Sequence, residues 1–137
     1  MENDKIFTLG ELFCGPGGLA WGAMHANVPG AKIVHAWAND YDADTCRTYT
    51  RNICSDKPDT VYCEDVHKLD IDKLGEISAL AFGFPCNDFS VVGEQLGFKG
   101  KFGPLYTYGI KVLEKYKPQW FLAENVCGTI IRSTMVR

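Results

Sequence analysis

Ile6-Phe7-Thr8-Leu9-Gly10-Glu11-Leu12-Phe13 runs directly into Cys14-Gly15-Pro16-Gly17-Gly18, and Leu19, Trp21, Ala23, Met24 and Ala26 then suit a helix that Pro29-Gly30 stops. An apolar run, a glycine turn and a helix in that order read as strand, tight loop, helix. The rhythm continues outward from there. Lys32 to Asn39 reads as a second strand and Asp40 to Asn52 as a second helix, with Asp40, Asp42 and Asp44 near its positive end. Thr60 to Cys63 is a short third strand after the turn-like Asp56-Lys57-Pro58-Asp59, and Ser78 to Phe84 a fourth, apolar enough for burial on both faces. A glycine-punctuated stretch from Pro85 to Gly103 leads to a helical pattern from about Leu105 to Lys117, and Pro118 opens a fifth strand, Gln119 to Glu124. Strands alternating with helices predict an α/β fold on a mostly parallel sheet.

Size and composition bound the function. The chain has 137 residues, one small domain's worth, and 46% hydrophobic against 23% charged residues excludes a disordered or collagen-like chain. A net charge of −3 argues against a self-sufficient nucleic-acid binder, so any grip on a polyanion is local or borrowed. The six cysteines (Cys14, Cys46, Cys54, Cys63, Cys86, Cys127) form no Cys-x-x-Cys pair, which disfavours disulfide scaffolds and zinc ribbons; no metal is expected. The polar start Met1-Glu2-Asn3-Asp4-Lys5 and the lack of an apolar run near about 18 residues predict a soluble protein of a reducing compartment with no membrane partner.

Ligands of such a sheet bind at the carboxyl ends of its strands, so the residues that follow each strand carry the chemistry. Gly15, Gly17 and Gly18 let the backbone turn sharply and approach a ligand, or serve only to reverse the chain. Asp40 lies 22 positions beyond Gly18, a spacing that suits a carboxylate on ribose hydroxyls and equally a helix-capping aspartate. Asp65-Val66 follows the third strand, where the carboxylate either accepts from an adenine amino group or is simply solvated. Pro85-Cys86 places a thiol at the carboxyl end of the fourth strand, suited to thiolate formation, whereas Cys46, Cys54, Cys63 and Cys127 read as small packed thiols. Glu124-Asn125-Val126 puts an acid on the same rim. His25, His35 and His67 show no ligand spacing and read as core or surface histidines.

Phe13-Cys14-Gly15-Pro16-Gly17-Gly18-Leu19, Gly83-Phe84-Pro85-Cys86-Asn87-Asp88-Phe89-Ser90, Gly103-Pro104-Leu105-Tyr106 and Glu124-Asn125-Val126, in that order, resemble the cytosine-5 DNA methyltransferases from about Phe7 to Gly128. The resemblance implies a Rossmann-like methyltransferase sheet and S-adenosylmethionine against the glycine loop, Phe13 to Leu19. Asp40 would take the ribose hydroxyls, Tyr41 and Val66 the adenine and Asp65 its amino group, with Pro85 and Leu105 completing the pocket. Cys86 would be the nucleophile toward carbon 6 of a flipped-out cytosine, Glu124 the acid at ring nitrogen 3, and Asn125 a support. Residues 91–103 resemble a catalytic loop that closes over DNA; Ser90 just before it, and Lys99 and Lys101 within it, either meet phosphates or are solvated.

The resemblance has limits. The family's Gln-x-Arg-x-Arg segment, variable target-recognition region and Asn-x-Gly-Asn-Ser block do not occur in this sequence. The expectation is therefore a partial catalytic domain over residues 1–137, incomplete C-terminally and lacking the recognition domain. It would act on double-stranded DNA with a second polypeptide carrying the rest, in a bacterial or phage-like restriction-modification setting and in the cytoplasm. A non-catalytic partner module, RNA cytosine methylation and a nicotinamide-binding enzyme read from Gly15-x-Gly17-x-x-Ala20 are the other readings.

Overall fold

The computed structural model describes residues 4–85 and 105–125. Its sheet contains five strands, β1 (Lys5–Leu12), β2 (Ala31–Asp40), β3 (Val61–Cys63), β4 (Ala79–Gly83) and β5 (Trp120–Glu124), in the order β3-β2-β1-β4-β5. Every pair is parallel. The chain moves from β1 outward through β2 to β3, then returns to the other side of β1 for β4. The strand order therefore reverses between β1 and β4, the place where open α/β sheets leave a crevice for ligands. The glycine loop after β1 and the Pro85 turn after β4 flank that crevice.

Helices α1 (Gly18–Met24) and α2 (Ala43–Ile53) cover one face of the sheet, and α3 (Tyr106–Tyr116) with the β3–β4 crossover covers the other. Alternation along the strands sorts the side chains: Ala79 and Ala81 of β4 face α1 and α2, whereas Leu80 and Phe82 face α3. The β3–β4 crossover holds one 3-10 turn, Ile71–Lys73, rather than a full helix, and a second such turn, Pro58–Thr60, leads from α2 into β3. Tyr116 ties α3 to that crossover, its hydroxyl 2.6 Å from the carbonyls of Ile71 and Leu74. Close helix–sheet approach explains Gly109: a Cβ there would stand 2.5 Å from the Phe82 ring.

Several expected boundaries shift for identifiable reasons. Phe13 was expected in β1 but has φ 54, so the strand ends at Leu12 and the loop begins one residue earlier. The second helix starts at Ala43 rather than Asp40, because Asp42 is extended and its carboxylate accepts from the Thr45 N–H at 2.8 Å, making it the N-cap. Ser78 lies outside β4 and exchanges hydrogen bonds with Thr8, its Oγ accepting from Thr8 N–H at 2.7 Å. A β-bulge between β1 and β2 was not expected: Leu9 pairs with His35 and Gly10 with Trp37, leaving Ala36 as the extra residue. The extra residue turns Trp37 toward α3, while His35 still faces α2.

Candidate active site at the carboxyl end of the sheet

The glycine loop takes its shape from backbone conformations that few residues tolerate. Gly15 and Gly17 have φ 56 and φ 101, and Phe13 shares the left-handed region despite its side chain. Cys14 N–H donates to the Asn39 carbonyl at 3.0 Å, which anchors the loop to the end of β2. Gly17 is also a point of close approach, since a Cβ there would come within 2.9 Å of Ile53 on α2. Among the described residues, a Cβ at Gly15 or Gly18 would meet nothing within 4 Å. Packing of the described residues thus leaves open space over these two glycines, room that a bound molecule can fill.

Asp40 closes one wall of this space. Its Oδ2 accepts from Gly15 N–H at 3.0 Å and its Oδ1 from Asp42 N–H at 3.1 Å. Capping of α2 belongs to Asp42, so the Asp40 carboxylate is directed at the glycine loop. Tyr41, next in sequence, is 78% exposed and lies at the rim. Asn39, buried between β2 and β3, was not singled out from sequence. Its Nδ2 donates to the carbonyls of Tyr62 and Glu64, both at 2.8 Å, and so fixes the chain that presents Asp65 and Val66. Val66 is buried; Asp65 is exposed and its Oδ1 accepts from the His67 N–H at 2.9 Å and meets His67 Nδ1 at 2.6 Å. The His67 N–H, first among its contacts, holds the Asp65 carboxyl below the usual carboxylate range.

Across the reversal point, β4 and β5 bring the second set together. Gly83 pairs with Glu124, and a Cβ on Gly83 would lie 3.1 Å from Glu124 Oε2, so the absent side chain leaves room for the carboxylate. Asn125 Nδ2 donates to the Phe84 carbonyl at 3.1 Å and pins the turn that leads through Pro85 toward the expected nucleophile. Leu105 is buried in the α3 core. Cys86, Ser90, Lys99 and Lys101, with the expected loop of residues 91–103 and Cys127, lie outside the described residues. Among the described residues, no group of His, Cys, Asp or Glu could hold a metal ion, and no helix is long and apolar enough to cross a membrane.

The sequence reading missed the polar floor beneath the glycine loop. Glu11 is 1% exposed, and the Tyr49 hydroxyl donates to its Oε2 at 2.7 Å. The row continues: His35 Nδ1 lies 3.2 Å from the Tyr49 hydroxyl, His35 Nε2 2.7 Å from Thr60 Oγ1, and the Thr60 hydroxyl donates to the Lys57 carbonyl at 2.7 Å. Burial pushes Glu11 up to about 7 against the lowering effect of Tyr49, and burial, aided by Lys57, pulls His35 down to about 4. The row is a continuous chain of polar contacts from Glu11 through Tyr49 and His35 to Thr60 and the Lys57 carbonyl. The only sequence signal was an acid inside an otherwise apolar strand.

The cysteines divide more sharply than expected. Cys14, Cys46 and Cys54 are buried, but Cys63, expected to be packed, is exposed because it ends a three-residue strand at the sheet edge. Burial, foremost, pushes the thiols of Cys14 and Cys54 above the ordinary range; for Cys14 the nearby carboxylates of Glu11 and Asp40 add to this.

The sheet order, the reversal point and the glycine loop define a Rossmann-like methyltransferase fold. A crystal structure of S. pombe Dnmt2 methyltransferase shares it, with a TM-score of 0.62 over 89% of this chain and 37% of that one at 21% identity. Residues 7–133 match the family model for C-5 cytosine-specific DNA methylases, and the chain belongs to that family. It is 54% identical over 132 residues to the Type II methyltransferase M.BbvI of Brevibacillus brevis, covering 89% of this chain and 35% of that protein. It is 35% identical over 130 residues to the Type II methyltransferase M.PspPI of Psychrobacter sp. (strain TA137), covering 93% of this chain and 29% of that protein. The chain thus spans about a third of the length of these relatives.

Proposed function

We propose that these residues are the cofactor-binding and nucleophile part of an enzyme that methylates carbon 5 of cytosine in double-stranded DNA through a covalent Cys86 adduct. The remainder of the relatives' length, supplied in the same chain or by a second polypeptide, would recognise the target. The observation that carries the reading is the Asp40 carboxylate, turned to Gly15 N–H beside the open space over Gly15 and Gly18 while Asp42 does the capping. That arrangement fits S-adenosylmethionine: Phe13 to Leu19 would line it, with Asp40 on the ribose hydroxyls, Tyr41 and Val66 against the adenine, Asp65 on the amino group, and Pro85 and Leu105 closing the pocket. When bound, this group supplies an electrophilic methyl.

In this reading Cys86 adds as thiolate to carbon 6 of a cytosine turned out of the stack, and Glu124 gives a proton or hydrogen bond to ring nitrogen 3. The displaced electron pair makes carbon 5 nucleophilic. Once carbon 5 carries the methyl, loss of its proton expels the Cys86 sulfur and restores the ring. Asn125 supports the site by holding the Phe84 carbonyl at the base of the nucleophile turn. Cys14, although beside the glycine loop, is buried and held protonated, which makes it a poor nucleophile. Ser90, Lys99 and Lys101 would meet DNA phosphates.

The test is trapping on duplex DNA containing 5-fluorocytosine, with the rest of the relatives' length supplied. Fluorine at carbon 5 blocks the final elimination, so peptide mapping should find one adduct, on Cys86, that Cys86→Ser abolishes. Glu124→Gln should slow adduct formation by about 100-fold to 10,000-fold while leaving S-adenosylhomocysteine binding nearly intact. An adduct on Cys14, or one that survives Cys86→Ser, overturns the assignment.

A further inference from the structure

Two thiols that the proposed reaction does not use meet beside Asp40. Parallel pairing sets Cys63 against Asp40 across β3 and β2. From the other direction, Cys46 on the first turns of α2 donates its S–H to the Asp40 carbonyl at 3.4 Å, a carbonyl that also accepts from Glu64 N–H at 3.0 Å. Strand alternation turns Cys63 toward α2, because Val61, two residues earlier, packs in the cluster built on Tyr49 and Cys54. Cys46 is buried and Cys63 exposed. Burial and then the adjoining Cys63 push the Cys46 thiol up to about 12, so Cys46 stays protonated and the thiol open to solvent is Cys63.

We propose that Cys46 and Cys63 form a peroxide-responsive thiol pair, and that their disulfide loosens the cofactor site by disturbing Asp40. The clause about the cofactor rests on the functional reading above; the disulfide itself does not. Hydrogen peroxide is the oxidant. The Cys63 thiolate attacks one peroxide oxygen, the O–O bond breaks, and with a proton the products are a Cys63 sulfenic acid and water. Cys46 sulfur then attacks the Cys63 sulfur: the S–S bond forms, the S–O bond breaks, and the Cys46 proton leaves with the hydroxyl as a second water. Two electrons pass from the pair to peroxide. A disulfide needs its sulfurs about 2.05 Å apart, so the start of α2 and the end of β3 must draw together. The Asp40 carbonyl also loses the Cys46 S–H that it accepts, at the residue whose carboxylate holds Gly15.

The experiment uses the full chain after dithiothreitol, after hydrogen peroxide, and after peroxide followed by dithiothreitol. Each sample is alkylated, mapped by tandem mass spectrometry and titrated calorimetrically with S-adenosylhomocysteine. Peroxide should yield a Cys46–Cys63 linked peptide and weaken binding by about fivefold to tenfold, the scale of one lost hydrogen bond, and dithiothreitol should reverse both. Cys63→Ser, at an exposed position, should bind normally and give no peroxide response, which separates this effect from oxidation of Cys86. The proposal is overturned if Cys63 proceeds to sulfinic acid while Cys46 remains alkylatable, or if the linked chain binds as tightly as the reduced one. If the reduced chain binds no S-adenosylhomocysteine, the functional reading fails, while the peptide map still decides whether the thiol pair exists.

Discussion

The two faces of the sheet are built from different materials. Toward α3 the sheet presents Trp37, Leu80, Phe82 and Phe84, large apolar groups against Val112 and Leu105. Toward α1 and α2 it presents alanines and, among them, Glu11 and His35, which join Tyr49 of α2 in a polar row that ends on Thr60. Both β1 and β4 pass through both environments by simple alternation. The dry face holds the scaffold together, and the polar face lies under the loop that we assign to the cofactor. The buried polar groups therefore lie next to the loop that we assign to the cofactor, and not in the apolar scaffold.

The largest effect should come from breaking the dry face. Phe82→Ala should cost about 3–5 kcal/mol in a urea unfolding titration, because a nearly unexposed ring leaves a cavity between β4 and α3. Gly109→Ala should cost about 1–3 kcal/mol in the wild-type background, where its Cβ meets the Phe82 ring. In the Phe82→Ala background the clash is gone and the same substitution should become neutral or stabilising, since alanine favours helix over glycine by about 1 kcal/mol.

The polar face should respond to pH instead. Glu11 has its folded value raised from 4.5 to about 7, so its contribution is complete below 4.5 and lost as pH rises to 7. The size of that loss is about 3 kcal/mol. His35, lowered from 6.5 to about 4, contributes in the opposite sense: complete above 6.5 and lost as pH falls through 4. Of the groups facing them, Tyr49, Cys14 and Cys54 are all raised and stay protonated over this range, and Asp56 and Lys57 act on His35 in opposite directions. The two slopes should nearly cancel in the wild type. Glu11→Gln should leave a protein that loses stability on acidification from 6.5 to 4, and His35→Gln one that loses stability as pH rises from 4.5 to 7. Equal pH profiles for the two variants would remove the polar row from the account.

A smaller effect separates the two aspartates. Asp42→Ala should lower stability slightly, through loss of the α2 N-cap, with little change in S-adenosylhomocysteine affinity. Thermal unfolding alongside calorimetry checks both halves of that statement.

Much of this architecture is written in the order of residues. Buried parallel strands must be apolar nearly throughout, so Ser78 to Phe84 and Ile6 to Phe13 stand out, and glycine or aspartate after a strand marks the end where ligands bind. Other features leave no compositional trace. Asp40, Asp42 and Asp44 are equally good caps by type, and only the backbone decides that Asp42 is the one. The bulge at Ala36 adds one ordinary residue to a strand, yet it turns Trp37 to the opposite face. Glu11 passes as one residue of an apolar run until Tyr49 arrives from α2, and Cys63 reads as a packed thiol until β3 proves to be an edge. Each depends on which element comes to lie next to another, which a linear pattern does not encode.

The assignment of Asp40 and the open glycine loop to S-adenosylmethionine can be tested by calorimetric titration of the full chain with S-adenosylhomocysteine and, separately, with NAD. We expect S-adenosylhomocysteine to bind and NAD not to, and Asp40→Ala to weaken binding by about tenfold or more while its unfolding curve stays close to that of the wild type. Binding of NAD without S-adenosylhomocysteine, or an affinity for S-adenosylhomocysteine unchanged by Asp40→Ala, would contradict the account.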